Sequence, residues 1–192
     1  IDKVDIVYLT FEEVNKIEAK IFSMERLEIV KKIFLFSCYS GLSFKEMENL
    51  KPSNIITSDN ETFWIKMIRQ KTKREYKCVL LPQAHKLILE LQKFKHAIPK
   101  DKLLPMISNQ KYNAYLKEIA EVCRIPKKLT SHVGRKTFSI GLALRSSVSI
   151  ELLSALLGHS SIRVTTDYYT KITDEIMIDG VKNLSEQLKK LK

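Results

Sequence analysis

Apolar residues recur at intervals of three and four along most of the chain, the spacing of amphipathic helices. A first helix is predicted to begin after Thr10, because Thr10 and Glu13 have the spacing of an N-terminal capping box. The apolar residues that follow at helical intervals are Val14, Ile17 and Ile21. A second helix is indicated by apolar residues at Leu27, Val30, Ile33, Phe34 and Cys38. It is predicted to end at Gly41.

A second capping-box spacing predicts a third, short helix. Ser43 and Glu46 stand three residues apart, and Met47 and Leu50 follow as its apolar positions. Pro52 disfavours helical backbone in the residue before it, so the helix is predicted to stop there.

In two stretches of the sequence, residue types alternate from one position to the next as they do in β-strands. Phe63 to Arg69 and Tyr76 to Leu81 are rich in strand-forming residues, and the charged segment 71–74 lies between them. They predict a β-hairpin, to which Asn54 to Thr57 adds a third strand.

Helical spacing returns after Pro82, around Leu87, around Tyr112, around His132 and at Leu152. A basic amphipathic helix is predicted within a tail of about residues 174–192. The pattern therefore predicts a mainly α protein with a small antiparallel sheet, of the α+β class.

Length and composition favour one domain covering residues 1–192. A chain of 192 residues, 44% of them hydrophobic, can bury one core. Neither a membrane-length apolar run nor a signal peptide is visible, so a cytoplasmic protein is expected. Because the sequence begins at Ile1 and not at methionine, it is interpreted as a fragment from which an N-terminal domain is missing.

The charge favours a polyanionic partner, and the lack of a long apolar run predicts no membrane partner. The net charge of +11 and the isoelectric point near 9.5 promote association with nucleic acid through counterion release. The 3 cysteines are far apart in apolar surroundings, which indicates buried thiols. No metal site and no cofactor are predicted.

An ordered set of polar residues in the last third of the chain carries the candidate chemistry. His132 and Arg135 are three residues apart, so a helix would project both from one face toward one phosphate. Leu157-Gly158 is typical of a helix end, which would place His159 just beyond the turn. Tyr168 and Tyr169 follow nine and ten residues later. Taken singly, each of these residues is commonplace; in this order and spacing they indicate a catalytic site.

This segment, T-S-H-V-G-R-K-T-F followed by L-L-G-H-S-S-I-R-V-T-T-D-Y-Y-T-K-I, resembles the catalytic domain of tyrosine recombinases and phage-type integrases. The resemblance extends over the whole chain. Residues 38–50 resemble the family's T-G-L-R-x-x-E-L box, and residues 50–55 resemble the L-x-W-x-D-I that follows. Its helices with one small sheet are also what the pattern here predicts.

The resemblance implies a role for each residue. A tyrosine would attack a DNA phosphate and form a 3′-phosphotyrosyl bond, with Arg135 and His159 holding the phosphate and His132 as acid/base partner. Tyr169 is preferred as nucleophile because Thr170-Lys171-Ile172 follows it as in the family's Y-[ST]-[HK]-[IV] ending, and Tyr168 is the alternative. The general acid would be a hairpin lysine. Lys71, Lys73 and Lys77 compete, and Arg69-Gln70-Lys71-Thr72 best matches the family's turn.

Ser43 departs from the family pattern, because it stands where the first catalytic arginine is expected. The box resembles that of conjugative-transposon integrases, in which serine occupies this position. A serine cannot supply the missing charge, so another cation is expected to do so. The nearest in sequence are Lys31, Lys32 and Lys45.

The function expected from the resemblance is site-specific DNA recombination by the integrase of a mobile element. A tetramer on double-stranded DNA that exchanges its C-terminal tails is implied, at work on the bacterial nucleoid. Two alternatives stay open: a catalytically impaired DNA-binding regulator, for which Ser43 argues, and a type IB topoisomerase, which shares the tyrosine chemistry but relaxes DNA. An RNA-binding module would need aromatic residues among basic strand positions, and Trp64 alone is insufficient.

Overall fold

The computed structural model describes residues 6–58, 60–68, 75–144, 146, 148–159 and 161–169, together with positions 178, 181 and 185. The helices are α1 Phe11–Ala19, α2 Glu25–Ser40, α3 Phe44–Asn49, α4 Pro82–Leu91, α5 Asn109–Val122, α6 Ser131–Lys136, α7 Ile150–Leu157 and α8 Ile162–Tyr169. The strands are β1 Ile55–Thr57, β2 Phe63–Ile68 and β3 Glu75–Val79. The prediction of a helical protein with one small antiparallel sheet is confirmed.

The capping residues and glycines lie at the helix ends that the sequence predicts. Thr10 and Ser43 cap α1 and α3, each in a complete capping box with the glutamate three residues later. Gly41 ends α2 in the left-handed conformation, with φ of 69°. Gly158 ends α7 in the same way, with φ of 60°. A side chain with a Cβ atom disfavours that backbone, which is why glycine stands at both ends.

The sheet has the order β1-β2-β3, with both pairs antiparallel. Its inner face contributes Ile65, Tyr76 and Cys78 to the core. The turn between β2 and β3, residues 69–74, lies outside the described residues. The predictions made for Lys71 and Lys73 therefore concern a segment on which the structure gives no information.

Helix α2 lies at the centre of the domain. It is buried along most of its length and packs against α1, α4, α5 and α6. Its approach to α6 is close because Gly134 has no side chain. A Cβ atom at Gly134 would lie 2.6 Å from the Ser37 hydroxyl oxygen. This close approach brings the next residue, Arg135, up to the C-terminal end of α2.

One element has no counterpart among the sequence predictions. Residues Thr137–Leu144 continue α6 as a π-helical segment, which is buried along most of its length. Gly141 in this segment lies against the Leu9 carbonyl, where an added Cβ atom would be only 2.2 Å from that oxygen.

The predicted tail helix falls in a region of which only positions 178, 181 and 185 are described. No helix among the described residues is long and apolar enough to cross a membrane.

Candidate active site

The guanidinium group of Arg135 lies between the C-terminal ends of two helices. Its Nη1 donates to the Gly41 carbonyl at 2.7 Å, just beyond α2, and its Nη2 donates to the Leu157 carbonyl at 2.9 Å, at the end of α7. The last carbonyls of a helix lack partners within the helix and carry partial negative charge, so a cation there is stabilised. Arg135 thereby joins segments that are far apart in sequence.

His159 lies next to Arg135. The left-handed turn at Gly158 directs the chain so that His159 Nε2 lies 3.3 Å from Arg135 Nη2. The other ring nitrogen, Nδ1, lies 2.7 Å from the hydroxyl oxygen of Thr165 on α8. A guanidinium group only donates hydrogen bonds, so Nε2 accepts and the ring proton is on Nδ1.

Glu46 brings a negative charge to the same place. Its carboxylate Oε2 accepts from the Ser43 backbone N–H and from the Ser43 hydroxyl, both at 2.8 Å. The same oxygen lies 3.4 Å from Arg135 Nη1. Ser43, at the position of the missing arginine, thus caps α3 and holds the carboxylate that pairs with Arg135. The capping role was predicted from the sequence, whereas the contact of Glu46 with Arg135 was not.

The other predicted residues are placed as follows. His132 is exposed and lies one turn before Arg135 on α6. Tyr168 and Tyr169 are the last two residues of α8, and their side chains are outside the described part of the chain. Arg135 and His159 are therefore brought together, while the structure leaves the position of the nucleophilic oxygen open.

The three candidate replacement cations lie in two different places. Lys31 is buried, donates to the Lys20 carbonyl at 2.6 Å and pairs with Glu28 at 2.9 Å. Lys32 pairs with Glu28 at 3.1 Å and with Glu90. Both precede Gly41 by about 15 Å along α2, at the usual helical rise.

Lys45, by contrast, lies in the first turn of α3, two residues beyond Ser43. Its side chain is 70% exposed and pairs with Glu48. Of the three lysines, it is the one beside the position of the missing arginine.

The hairpin is attached to the same helix end as Arg135. The Tyr76 hydroxyl on β3 donates to the Leu156 carbonyl at 2.5 Å, and the next carbonyl, that of Leu157, accepts from Arg135. The end of α7 is thus hydrogen-bonded both to β3, the strand that follows residues 69–74, and to Arg135 on α6.

Within the described part of the chain, no group of three or more metal-ligating side chains is placed to hold an ion. The site offers one arginine with a histidine next to it, and the planar guanidinium group is suited to holding a phosphate.

The sequence model of the phage integrase family matches residues 7–175, which include every residue of this site. The chain belongs to the phage integrase family. A tyrosine recombinase of Thermosipho africanus is 26% identical over 183 residues, an alignment that covers 92% of this chain and 61% of that relative. The chain thus spans less than two thirds of the length of this relative.

Solved structures show the same fold. The crystal structure of XerA recombinase matches with a TM-score of 0.70 at 22% identity, over 93% of this chain and 65% of that one. The Tn1549 transposon integrase in complex with transposon right end DNA matches with a TM-score of 0.62 at 14% identity, over 96% of this chain and 67% of that one. XerH recombinase bound to its difH substrate matches with a TM-score of 0.65 at 15% identity, over 84% and 49%.

Sequence reasoning overlooked Thr165. Thr165 stands six residues after His159 in the sequence. The turn that brings the two together could not be deduced from this spacing alone.

Proposed function

We propose that this chain is the catalytic domain of a site-specific DNA recombinase, the integrase of a mobile element, and that its DNA-binding N-terminal region lies outside the sequence. The observation that carries the proposal is the Arg135–His159 pair, with Nη2 and Nε2 3.3 Å apart at the joined ends of α2 and α7. Family membership supports it, since the matched residues include the candidate nucleophiles.

The proposed reaction conserves the energy of the phosphodiester bond. The Tyr169 oxygen attacks a DNA phosphorus atom, a 3′-phosphotyrosyl bond forms, and the bond to the 5′ oxygen breaks. A proton passes to that leaving oxygen from Lys71, or from Lys73 as the alternative, while His132 handles the tyrosine proton. In the second half, a 5′-hydroxyl of another strand displaces the tyrosine. No cofactor or metal takes part in this scheme.

Arg135 and His159 are assigned to the non-bridging phosphate oxygens. Negative charge builds up on these oxygens in the transition state, where Arg135 donates to them and His159 donates from Nε2 once that nitrogen also carries a proton. Arginine suits this role because its planar group can donate to two oxygens at once. The bonds from Arg135 to two main-chain carbonyls and to Glu46 hold the group in place before the phosphate arrives.

We further propose that Lys45 supplies the charge that Ser43 lacks. Lys31 and Lys32 are held in ion pairs well away from Gly41, whereas Lys45 is exposed and on the same turn as Ser43. The side chain of its partner Glu48 is 35% exposed, so this ion pair lies at the surface, where such pairs are weak. Lys45 can therefore exchange its contact with Glu48 for one with a phosphate.

Double-stranded DNA is the proposed partner, and a bacterial cytoplasm and nucleoid the proposed place of action. The net charge of +11 supports a polyanion, and the similar XerH and Tn1549 proteins were solved as DNA complexes. A tetramer that exchanges the tails of residues 174–192 remains part of the proposal. The aligned Leu184, Leu188 and Leu191 of that tail would need an apolar surface on a neighbouring copy.

The test is covalent capture on a nicked suicide DNA substrate by the full-length protein. Wild type and Tyr168→Phe are expected to become attached to the DNA, whereas Tyr169→Phe is expected to bind DNA and never attach. If Tyr168→Phe is the variant that fails, the two tyrosines exchange roles.

Two other results would overturn the proposal. A wild type that binds its site without cleaving would identify an impaired regulatory relative, for which the serine at position 43 argues. Relaxation of supercoiled plasmid without strand exchange between two sites would identify a topoisomerase.

A further inference from the structure

Thr165 occupies an unusual position for a helix hydroxyl. Its side chain is fully buried, with 0% exposure, and its oxygen lies 2.7 Å from His159 Nδ1. The next residue, Thr166, shows the ordinary arrangement: its hydroxyl donates to the Ile162 carbonyl of its own helix at 3.1 Å. Thr165 therefore makes a contact outside its helix that its neighbour does not.

The direction of this hydrogen bond follows from the other side of the imidazole ring. Arg135 Nη2 lies 3.3 Å from His159 Nε2 and can only donate, so Nε2 is the acceptor. The ring proton is then on Nδ1, and the Thr165 oxygen accepts it. The partner of one ring nitrogen sets which tautomer is present, and with it the direction of the lone pair on the other nitrogen.

The three residues belong to three different segments. Arg135 is on α6, His159 is in the turn after α7, and Thr165 is on α8, three and four residues before Tyr168 and Tyr169. A single line of hydrogen bonds thus runs from the arginine, through the imidazole, to the helix that carries both candidate nucleophiles.

We infer that Thr165 is a positioning residue that couples the docking of the nucleophile helix to the phosphate-binding pair. When α8 is docked, the Thr165 oxygen accepts the Nδ1–H and holds the imidazole ring with Nε2 toward Arg135; the same contact persists when Nε2 is also protonated and donates to the phosphate. When α8 leaves, the Nδ1–H loses this acceptor and the imidazole loses its fixed orientation. The inference rests on the proposed function, in which His159 acts on the phosphate, and goes beyond it by assigning Thr165 a role.

The first experiment measures the tautomer of His159 in the full-length protein labelled with ¹⁵N-histidine. Long-range ¹H–¹⁵N spectra distinguish a protonated Nδ1 from a protonated Nε2, and a His159→Asn variant assigns the signals. The wild type is expected to be protonated on Nδ1. Thr165→Val, which replaces the hydroxyl by a methyl group, is expected to give a mixture of the two tautomers, because the ring loses the acceptor of its Nδ1–H and can turn away from Arg135. Thr165→Ser keeps the hydroxyl and is expected to keep the Nδ1–H form.

The second experiment measures single-turnover attachment to the suicide substrate. Thr165→Val is expected to attach about tenfold more slowly than wild type, the factor that corresponds to one hydrogen bond of ordinary net strength. Its DNA affinity is expected to change less than about twofold on the same scale, since no phosphate contact is removed. Thr166→Val is the matched control, because it loses a hydroxyl one residue away that bonds only its own helix, and it is expected to behave as wild type.

Two results would overturn the inference: a wild-type His159 protonated on Nε2, or a Thr165→Val protein whose nitrogen signals and attachment rate equal those of Thr166→Val. If Thr165→Val does not fold, the wild-type tautomer and the Thr165→Ser rate decide the matter. The nitrogen signals require no DNA cleavage. A wild type that never attaches to DNA would therefore count against the recombinase, while the contact with Thr165 would still be judged by the spectra.

Discussion

The Glu46 carboxylate lies 3.4 Å from the Arg135 guanidinium, and the same oxygen closes the capping box of α3 with Ser43. One carboxylate therefore serves a helix end and the candidate phosphate-binding arginine together. A positive group at position 43 would have to compete for that carboxylate, whereas a serine cooperates with it. The capping box thus accounts for Ser43 locally, and the proposed function assigns the charge it lacks to Lys45.

Ser43→Ala is expected to lower stability, whereas Lys45→Ala is expected to abolish DNA attachment. The first removes a helix cap and should lower the free energy of unfolding by about 1 kcal/mol, while DNA attachment changes little. The second removes an exposed lysine and should change stability by less than about 0.5 kcal/mol, while attachment is lost. Chemical denaturation and suicide-substrate capture measure the two quantities. A folded Ser43→Ala protein that cannot cleave would show that the hydroxyl itself is catalytic.

Gly134→Ala is expected to destabilise the protein, although alanine is the better helix former by about 1 kcal/mol. The added Cβ atom would lie 2.6 Å from the Ser37 oxygen and 2.8 Å from the Ser37 Cβ. Overpacking of this kind costs about 1–3 kcal/mol. Urea denaturation measures the net loss, and Ser37→Ala in the same chain should recover only part of it, because the contact with Cβ remains. A Gly134→Ala protein more stable than wild type would contradict the close packing of α6 on α2.

Two buried tyrosines form a matched pair. The Tyr76 hydroxyl donates to the Leu156 carbonyl, whereas the Tyr112 hydroxyl has no hydrogen-bond partner among the described residues, and burial raises the pKa of Tyr112 well above its usual value. Tyr76→Phe should therefore lower the unfolding free energy by about 1 kcal/mol. Tyr112→Phe should leave it unchanged or raise it, because a desolvated hydroxyl is removed. Thermal unfolding compares them, and equal losses would rule out this difference.

The ion pairs of Glu28 predict a dependence of stability on pH. Burial alone would raise the pKa of the Glu28 carboxyl, but hydrogen bonds from Lys31, the Phe22 N–H and Lys32 outweigh it, so the pKa lies below the ordinary 4.5. The stabilisation is therefore complete above pH 4.5 and is lost as the pH falls through the lowered pKa of the folded state.

Glu28→Gln should accordingly be less stable than wild type at pH 7, and the difference should shrink as the pH falls below about 4.5. Glu118→Gln is the control, because its pair with Arg26 is exposed and such pairs contribute little. Unfolding curves at several pH values measure both variants. A difference between Glu28→Gln and wild type that stays constant down to pH 3 would contradict the role of these ion pairs.

The parts that could be predicted from the sequence are those with local signals. The capping boxes at Thr10 and Ser43 and the left-handed glycines at 41 and 158 mark helix ends through contacts within a few residues, so the sequence shows them directly. The π-helical segment has no such signal. Its backbone fits against the Leu9 carbonyl at Gly141, a contact between residues more than a hundred positions apart.

The contacts of the candidate site also fall into two groups: those that the sequence motif predicts and those that depend on the fold. The pairing of Arg135 with His159 could be expected from the order and type of residues in the motif. The other partners of Arg135 are the carbonyl oxygens of residues 41 and 157, and a main-chain carbonyl is present at every position, so no sequence pattern identifies them. The same holds for Thr165, whose contact depends on how the turn after α7 directs the chain.

The hydrogen bonds of Arg135 reach back 94 residues to Gly41 and forward 22 residues to Leu157. During synthesis, the forward partner emerges from the ribosome after the arginine, and Thr165 emerges after that. A nascent or prematurely terminated chain that contains Arg135 but not residues 157–165 therefore carries a cation without the groups that orient it. On the proposed function, DNA cleavage would therefore have to wait until nearly all of this domain has been translated and folded.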